Sequence, residues 1–381
     1  MTMRRPIAFL ARLCVELVVV VGMALVAIAA LATQAWLDRH FLPSFLFPRR
    51  WYVLGETACR VALGIAGVVL VVIVSPRLRR LAARAPEGTL YVVLAVVLAL
   101  GASEVALRHL RLRPTEWLVP DEEPRRQLDP RLGWRLVAGR AGHNTIAGRE
   151  IEYAIDPEGC RVAHPGDVVD RERPTIVFIG ESVMFGEGLT WPESVPAQVS
   201  AITGIQSANL AVHGFGNDQA YLRLVEELPR FRQPVAVVSL FMPALFGRNL
   251  DRDRPHLGPG LVWLPPEPQS RLASLATMLV PYRSLATIDR GIAVTREVLQ
   301  ATGALARARG AAAVAIVPQF GPEEEPVRIL RRRVLDDAGV PYVSVEIDPA
   351  WRLPWDRHPD ARAAHAIAGA IAAQLRARTQ P

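Results

Sequence analysis

Lysine is absent from this 381-residue chain: all 44 basic residues are arginines. That excludes a Schiff-base nucleophile and a phosphate-binding P-loop, both of which need an ε-amino group. Cysteine is scarce as well, with three in total. Cys14 and Cys59 fall in or beside long apolar runs and only Cys160 lies elsewhere, so no disulfide framework holds the remaining chain together. Histidines such as His213, His256, His358 and His365 are scattered rather than set at metal-ligand spacing. Neither a metal nor a cofactor is expected.

What is abundant is positive charge, and it is unevenly placed. Residues 1–113 hold 14 arginines against 5 acids, a balance of +9, whereas the remainder holds 30 against 32, a balance of −2. The basicity therefore belongs to the apolar end of the chain and points to no nucleic-acid partner. Three apolar runs, 13–33, 53–74 and 90–107, have the length needed to cross about 30 Å of hydrocarbon at 1.5 Å per residue. They predict three transmembrane helices. A cleaved signal peptide is disfavoured for the first run, which is long, contains Glu16 and lacks a small-x-small cleavage pattern. The other intramembrane charges, Arg60 and Glu104, lie like Glu16 close enough to span ends to snorkel. Arg4, Arg5 and Arg12 precede the first span and Arg77, Arg79, Arg80 and Arg84 fill the second connector, which the positive-inside rule assigns to the cytoplasm. Arg49, Arg50, Arg108, Arg111 and Arg113 weigh on the other side. The expected topology is a three-pass protein of a bacterial inner membrane with its long C-terminal part on the periplasmic or extracytoplasmic side.

Beyond the spans the pattern changes. Residues 114–173 read as a juxtamembrane stalk merging into a small β element, with an alternating piece at Arg149–Ile155. From 174 to 381 strand-like runs at 175–179, 206–212, 235–241, 312–317 and 341–347 alternate with helical patterns at 192–203, 218–231, 283–309 and 323–338. This alternation predicts an α/β domain whose parallel sheet is covered on both faces. The insertion 248–281 is proline-rich and has no clear period. It follows the third strand, so it is expected to overhang the site and shape substrate choice, or else to be a surface excursion with one packed Trp263.

The most informative stretch is TIVFIGESVMFGEGL, residues 175–189, where an apolar β-branched run stops at Gly180-Glu181-Ser182 and a glycine-rich turn follows. Ser182 thus falls past the carboxyl end of a buried strand, where open α/β sheets place ligands; a serine there also serves simply as a helix cap. A second strand end, Asn209-Leu-Ala-Val-His-Gly214, runs into another glycine-containing turn. Near the C-terminus Asp356-Arg357-His358-Pro359 precedes an alanine-rich amphipathic segment, 360–378. A serine hydroxyl needs a base, and the base imidazole needs an acceptor on its second nitrogen. Ser182, His358 and Asp356 supply those groups, with His365 as the second-choice base.

These blocks, in this order, resemble the SGNH/GDSL hydrolase family over about residues 174–375. The resemblance implies a three-layer, flavodoxin-like parallel-sheet domain preceded here by three transmembrane helices. It implies Ser182 as nucleophile, His358 as general base and Asp356 as its orienter, with the backbone N–H groups of Ser182 and Gly214 receiving the oxyanion. Three departures stand out. Glu181 replaces the family's Asp, the Asp-to-His spacing is one residue shorter, and Ala244-Leu245 stand near the place of an Asn-Asp pair whose asparagine is an oxyanion donor. Asn249 is the nearest substitute for that donor. The implied activity is that of a membrane-anchored serine esterase or O-acyltransferase acting through an acyl-enzyme on acyl esters of an envelope glycan or lipid. The alternative is a glycan-binding module of the same fold with weak or no catalysis. Expected partners are the acylated small molecule, glycan or lipid, the membrane itself, and, as a further candidate, an envelope protein. Oligomeric state is not legible in the sequence.

Overall fold

The computed structural model describes every residue except 1–3, 44, 46, 113–115, 117, 119–121, 147, 355–356 and 380–381. It divides into two compact units, one made of residues 1–41, 48–112 and 270–282 and the other of 42–47, 113–269 and 283–381.

The first unit is helical. It comprises α1 (Arg4–Leu31), α2 (Gln34–His40), α3 (Arg49–Val69), which continues through a wider turn at Leu70–Val74 into α4 (Ser75–Arg84), and α5 (Pro86–Ala106). Segments Ile7–Leu31, Arg49–Arg84 and Pro86–His109 are long and apolar enough to cross a membrane. Leu94, Val97 and Leu98 on α5 are more than half exposed, a surface suited to hydrocarbon rather than water. Glu16, Arg60 and Glu104 each have a partner within this unit. Arg60 donates to the Ala29 carbonyl at 3.1 Å and Arg79 lies 3.2 Å from Glu16. Glu104 accepts the N–H groups of Arg271 and Leu272 at 2.6 and 2.9 Å, so it caps the short helix Arg271–Leu279 that belongs to this unit.

The second unit is a three-layer α/β fold. Its strands are β1 (Arg126–Asp129), β2 (Gly133–Leu136), β3 (Ala141–Ile146), β4 (Arg149–Ile155), β5 (Arg161–Val162), β6 (Pro174–Phe178), β7 (Gln206–Asn209), β8 (Gln233–Leu240), β9 (His256–Leu257), β10 (Trp263–Leu264), β11 (Ala312–Phe320) and β12 (Tyr342–Ile347). Its helices are α6 (Ser182–Phe185), α7 (Val195–Thr203), α8 (Asn217–Glu227), α9 (Pro243–Asn249), α11 (Leu285–Ala308), α12 (Glu325–Arg331) and α13 (Ala361–Thr379), with Arg271–Leu279 numbered α10. The main sheet runs β12-β11-β8-β6-β7-β5-β4-β3. From β12 to β7 all pairings are parallel, and their order is the flavodoxin-like 2-1-3-4-5 arrangement, in which ligands bind where the winding reverses, here between β6 and β8. The remaining three strands are antiparallel. The region expected to be a stalk with a small β element therefore continues the central sheet from β7 outward.

Core formation follows from β6. Ile176 and Phe178 cluster with Val195 and Val199 of α7 and Ile367 and Ile371 of α13. Val177 and Ile179 cluster instead with Ala220 and Leu224 of α8 and Ala306 of α11. Alternate side chains of a strand point to opposite faces, so a strand covered on both sides is apolar on both, as Ile176, Val177 and Phe178 of β6 are, while the buried Thr175 hydroxyl is satisfied by the Arg173 carbonyl and the Gln206 amide. The inserted segment after β8 is a two-strand pairing of β9 and β10 followed by α10.

Candidate active site

Gly180 makes the turn from β6 into α6. Its φ of +150° lies in a region L side chains rarely adopt, and a Cβ there would come to 3.1 Å from that of Met184. The nucleophile candidate follows at once, with Ser182 buried at the first position of a single helical turn. His358 Nε2 is 2.8 Å from Ser182 Oγ. The sequence separates these residues by 176 positions; the sheet brings them into hydrogen-bonding contact.

His358 is held in a tight turn. Leu353 N–H donates to the His358 carbonyl at 2.7 Å, Arg352 pairs with Pro359 in an antiparallel bridge, and Arg357 takes a left-handed φ of +63°. Such a conformation costs a non-glycine residue energy and is retained where the surroundings enforce it. Asp356, the expected orienter, lies outside the described residues. His365 stands on the exposed face of α13, with its Nδ1 2.6 Å from Gln198 Oε1, and does not line the cavity that holds Ser182.

Glu181 does more than shape the turn. One carboxylate oxygen contacts Ser182 Oγ and lies 3.2 Å from Arg248 Nη1, while the other accepts the Val183 N–H at 2.9 Å. Burial pushes this carboxyl up, but Arg248, His358 and the two hydrogen bonds outweigh it and hold it below the usual carboxylate range. The Ser182 hydroxyl thus faces an ionised carboxylate on one side and an imidazole on the other. It has one proton to give.

Gly214 forms the second turn, with φ +77° and a wall of Trp134 3.2 Å from where a Cβ would stand. Two anchors fix it from behind: the Trp134 indole donates to the His213 carbonyl at 2.8 Å and Arg254 donates to the Gly214 carbonyl at 2.8 Å. The backbone N–H groups of Ser182 and Gly214 make no hydrogen bond among the described residues, and both residues line one cavity of about 200 Å³. Asn249 does not join them. Its amide donates to Thr295 Oγ1 at 2.9 Å and its carbonyl faces the Asp218 N–H at 3.4 Å, away from the cavity. At the register where an Asn-Asp pair is expected, Ala244 lines the cavity and Leu245 is fully buried in the core.

Glu187 and His213 are among the cavity residues not singled out as site residues in the sequence. Glu187 sits in the glycine-rich turn after α6, and one of its carboxylate oxygens is 3.7 Å from His358 Nε2 and 3.3 Å from His213 Nε2. The turn is pinned by fully buried Arg161, which donates to the carbonyls of Phe185, Gly186 and Leu189 at 2.6–2.8 Å, and by the Tyr153 hydroxyl, which accepts the Gly188 N–H at 2.8 Å. A charged residue placed between two glycines five positions after a candidate nucleophile was the available signal. The outer wall comes from Glu122, Glu123 and Arg126, with Ile146 and Tyr153 of β3 and β4. Of the insertion expected to overhang the site, only Arg248 lines the cavity among the described residues. No group of His, Cys, Asp and Glu among them could hold a metal ion. Cys160 is buried and its thiol is pushed up to about 12, which leaves it inert at neutral pH.

No protein-family model matches the chain, and no curated protein matches it. Solved structures do. A carbohydrate acetylesterase from Sinorhizobium meliloti is similar at 12% identity over 54% of this chain and 100% of its own, with a TM-score of 0.34. An acetyl xylan esterase from the rumen bacterium Butyrivibrio proteoclasticus is similar at 11% identity over 56% of this chain and 65% of its own, with a TM-score of 0.35. A family two carbohydrate esterase from Clostridium thermocellum, solved in complex with cellohexaose, is similar at 12% identity over 56% of this chain and 66% of its own, also with a TM-score of 0.35. The chain spans just under two thirds of the length of the last two.

Proposed function

We propose that the chain is a membrane-anchored serine hydrolase that cleaves or transfers acyl esters through an acyl-enzyme. The observation that carries this reading is the 2.8 Å contact between His358 Nε2 and a buried strand-end serine. In the cycle Ser182 Oγ bonds to the ester carbonyl carbon as its proton passes to His358 Nε2, and the carbonyl oxygen becomes an oxyanion facing the N–H groups of Ser182 and Gly214. The carbon–oxygen bond to the alcohol then breaks, and the alcohol leaves with the proton from His358. Water or a second hydroxyl then attacks the acyl carbon as its proton passes to His358, and the bond to Ser182 Oγ breaks as that proton returns to the serine; water makes the protein an esterase and a second hydroxyl makes it an O-acyltransferase. Asp356 is assigned to orient His358. The small polar cavity suits a short acyl group.

Three spans and the arginine distribution support a bacterial inner-membrane protein with this unit on the extracytoplasmic side. There the substrate class is an acylated envelope glycan or lipid, since tethering raises the effective concentration of a site near envelope polymers. The lack of a side-chain oxyanion donor after β8 supports a second reading, a weakly catalytic binding module. A fluorophosphonate probe on the full-length protein separates the two. Covalent labelling of Ser182, lost in Ser182→Ala, supports the enzyme, and an unlabelled but folded protein removes it.

A further inference from the structure

The cavity has a polar corner that the acyl-transfer cycle leaves unused. His213 follows β7 directly before Gly214; it is 7% exposed and its ring lies 4.2 Å from that of Phe185. Its Nε2 is buried without a hydrogen-bond partner among the described residues. The Glu187 carboxylate approaches that nitrogen to 3.3 Å without the alignment a hydrogen bond requires. Both side chains line the cavity that holds Ser182. Burial, and after it Arg126, His358, Arg161 and Arg248, hold the imidazole well below the usual histidine range. The ring is therefore neutral, with one N–H donor and one acceptor nitrogen.

A neutral imidazole beside a carboxylate offers a donor and an acceptor at one place, and the group that answers both is a hydroxyl. Leaving a buried polar atom unsatisfied costs about 1–3 kcal/mol, so the corner is one that a bound hydroxyl completes. We propose, resting on the esterase reading, that His213 and Glu187 form an alcohol-side subsite that holds a hydroxyl of a polyhydroxylated alcohol next to the ester made or broken at Ser182. Neither residue takes the serine proton. They are positioning residues: Glu187 accepts from the held hydroxyl, His213 donates to it, and the neighbouring alcohol oxygen is left to exchange its proton with His358. The arginine and tyrosine that pin the Glu187 turn make this a preformed site rather than one that ordering of a loop must create.

The test uses the full-length protein in detergent and two alkyl acetates, methyl 6-O-acetyl-glucoside and ethyl acetate, whose leaving groups differ mainly in the presence of further hydroxyls. The ratio of kcat/KM for the sugar ester to that for ethyl acetate should fall at least tenfold in His213→Phe and in the near-isosteric Glu187→Gln, chiefly through KM. A ratio within threefold of the unsubstituted protein in both variants overturns the subsite. A second arm needs no turnover. In Ser182→Ala, saturation-transfer NMR should detect the sugar ester more strongly than ethyl acetate, and adding His213→Phe should weaken that binding at least fivefold. Sugar-ester binding in Ser182→Ala that depends on His213, without turnover in the unsubstituted protein, keeps the subsite and removes the esterase. Equal binding of the two esters removes the subsite whatever the turnover.

Discussion

The turns after β7 and β8 flank the nucleophile strand on its two sides, and they use their polar groups in opposite ways. After β7, the carbonyls of His213 and Gly214 are tied back by Trp134 and Arg254, while the Gly214 N–H and His213 Nε2 are left without hydrogen bonds among the described residues. After β8, the amide of Asn249 is consumed by Thr295 and Asp218, Leu245 enters the core, and Arg248 is spent on Glu181 and the Phe215 carbonyl. Both turns line the cavity, the second through Ala244 and Arg248, but only the first leaves polar groups without hydrogen bonds among the described residues. Substrate recognition is therefore expected from the β7 side.

The largest effect should come from the strand between them. Ser182→Ala removes the atom that forms the acyl bond, so turnover of a short-chain aryl ester should fall by about four to six orders of magnitude with the circular dichroism unchanged. Retention of a tenth of the activity would dismiss Ser182 as nucleophile and with it the meaning of both flanking turns. Next is Gly214→Ala. The new Cβ meets Trp134 in a left-handed backbone, so the N–H is displaced, and loss of one oxyanion donor costs about two to three orders of magnitude in kcat. A kcat within fivefold of the unsubstituted value would take Gly214 out of the oxyanion hole.

On the β8 side the prediction is for stability instead. Asn249→Ala strips buried hydrogen bonds and should destabilise by about 1–3 kcal/mol, read as a lower thermal midpoint, with kcat within threefold below that midpoint. A hundredfold loss of kcat would restore the asparagine to the site and erase the contrast between the two turns.

How much of this contrast was legible beforehand depends on what each residue answers to. β6 and the Ser182 turn were readable because a strand buried on both faces is apolar on both, and its end is marked by a glycine that no other residue replaces without strain. His358 was readable because the helix that follows gives its segment a fixed start. Asn249, whose amide turns to Thr295 and Asp218, was harder to read for the opposite reason. In a helix such as α9 a shift of one residue turns a side chain by about 100°, so nearness in sequence to the missing donor does not decide which way the amide points. Glu187 was not read as a site residue and His213 was read only as a scattered histidine, because their meeting depends on a third element, the pinning of the Glu187 turn by Arg161 of β5. That strand lies in a region whose sequence reads as a stalk, and its place beside β7 is a long-range pairing with no local signature. The three long apolar helices were legible from length and apolarity, whereas the capping of Arg271–Leu279 by Glu104 is a contact between residues 167 apart.

The smallest effect is a titration that the β7 side has and the β8 side lacks. His213 is held neutral in the folded protein, well below its ordinary value of 6.5, whereas in the unfolded chain it takes up a proton near that value. As pH falls below 6.5 the unfolded state binds more protons, so stability that is complete above the unfolded pKa is lost on acidification, at up to about 1.4 kcal/mol per pH unit, until the folded pKa is reached. Thermal midpoints of the detergent-solubilised protein at pH 7.5, 6.5 and 5.5 should therefore fall more steeply for the unsubstituted chain than for His213→Phe. Glu181, held below the usual carboxylate range, stays ionised across this window, and Asp218, which burial pushes up, is common to the unsubstituted chain and to His213→Phe and so drops out of the difference between them. Asn249→Ala should give a line displaced downward but parallel to the unsubstituted chain, because no proton is involved. If His213→Phe is also parallel, the ring is not buried neutral, and the β7 side is no more exposed to a ligand's chemistry than the β8 side.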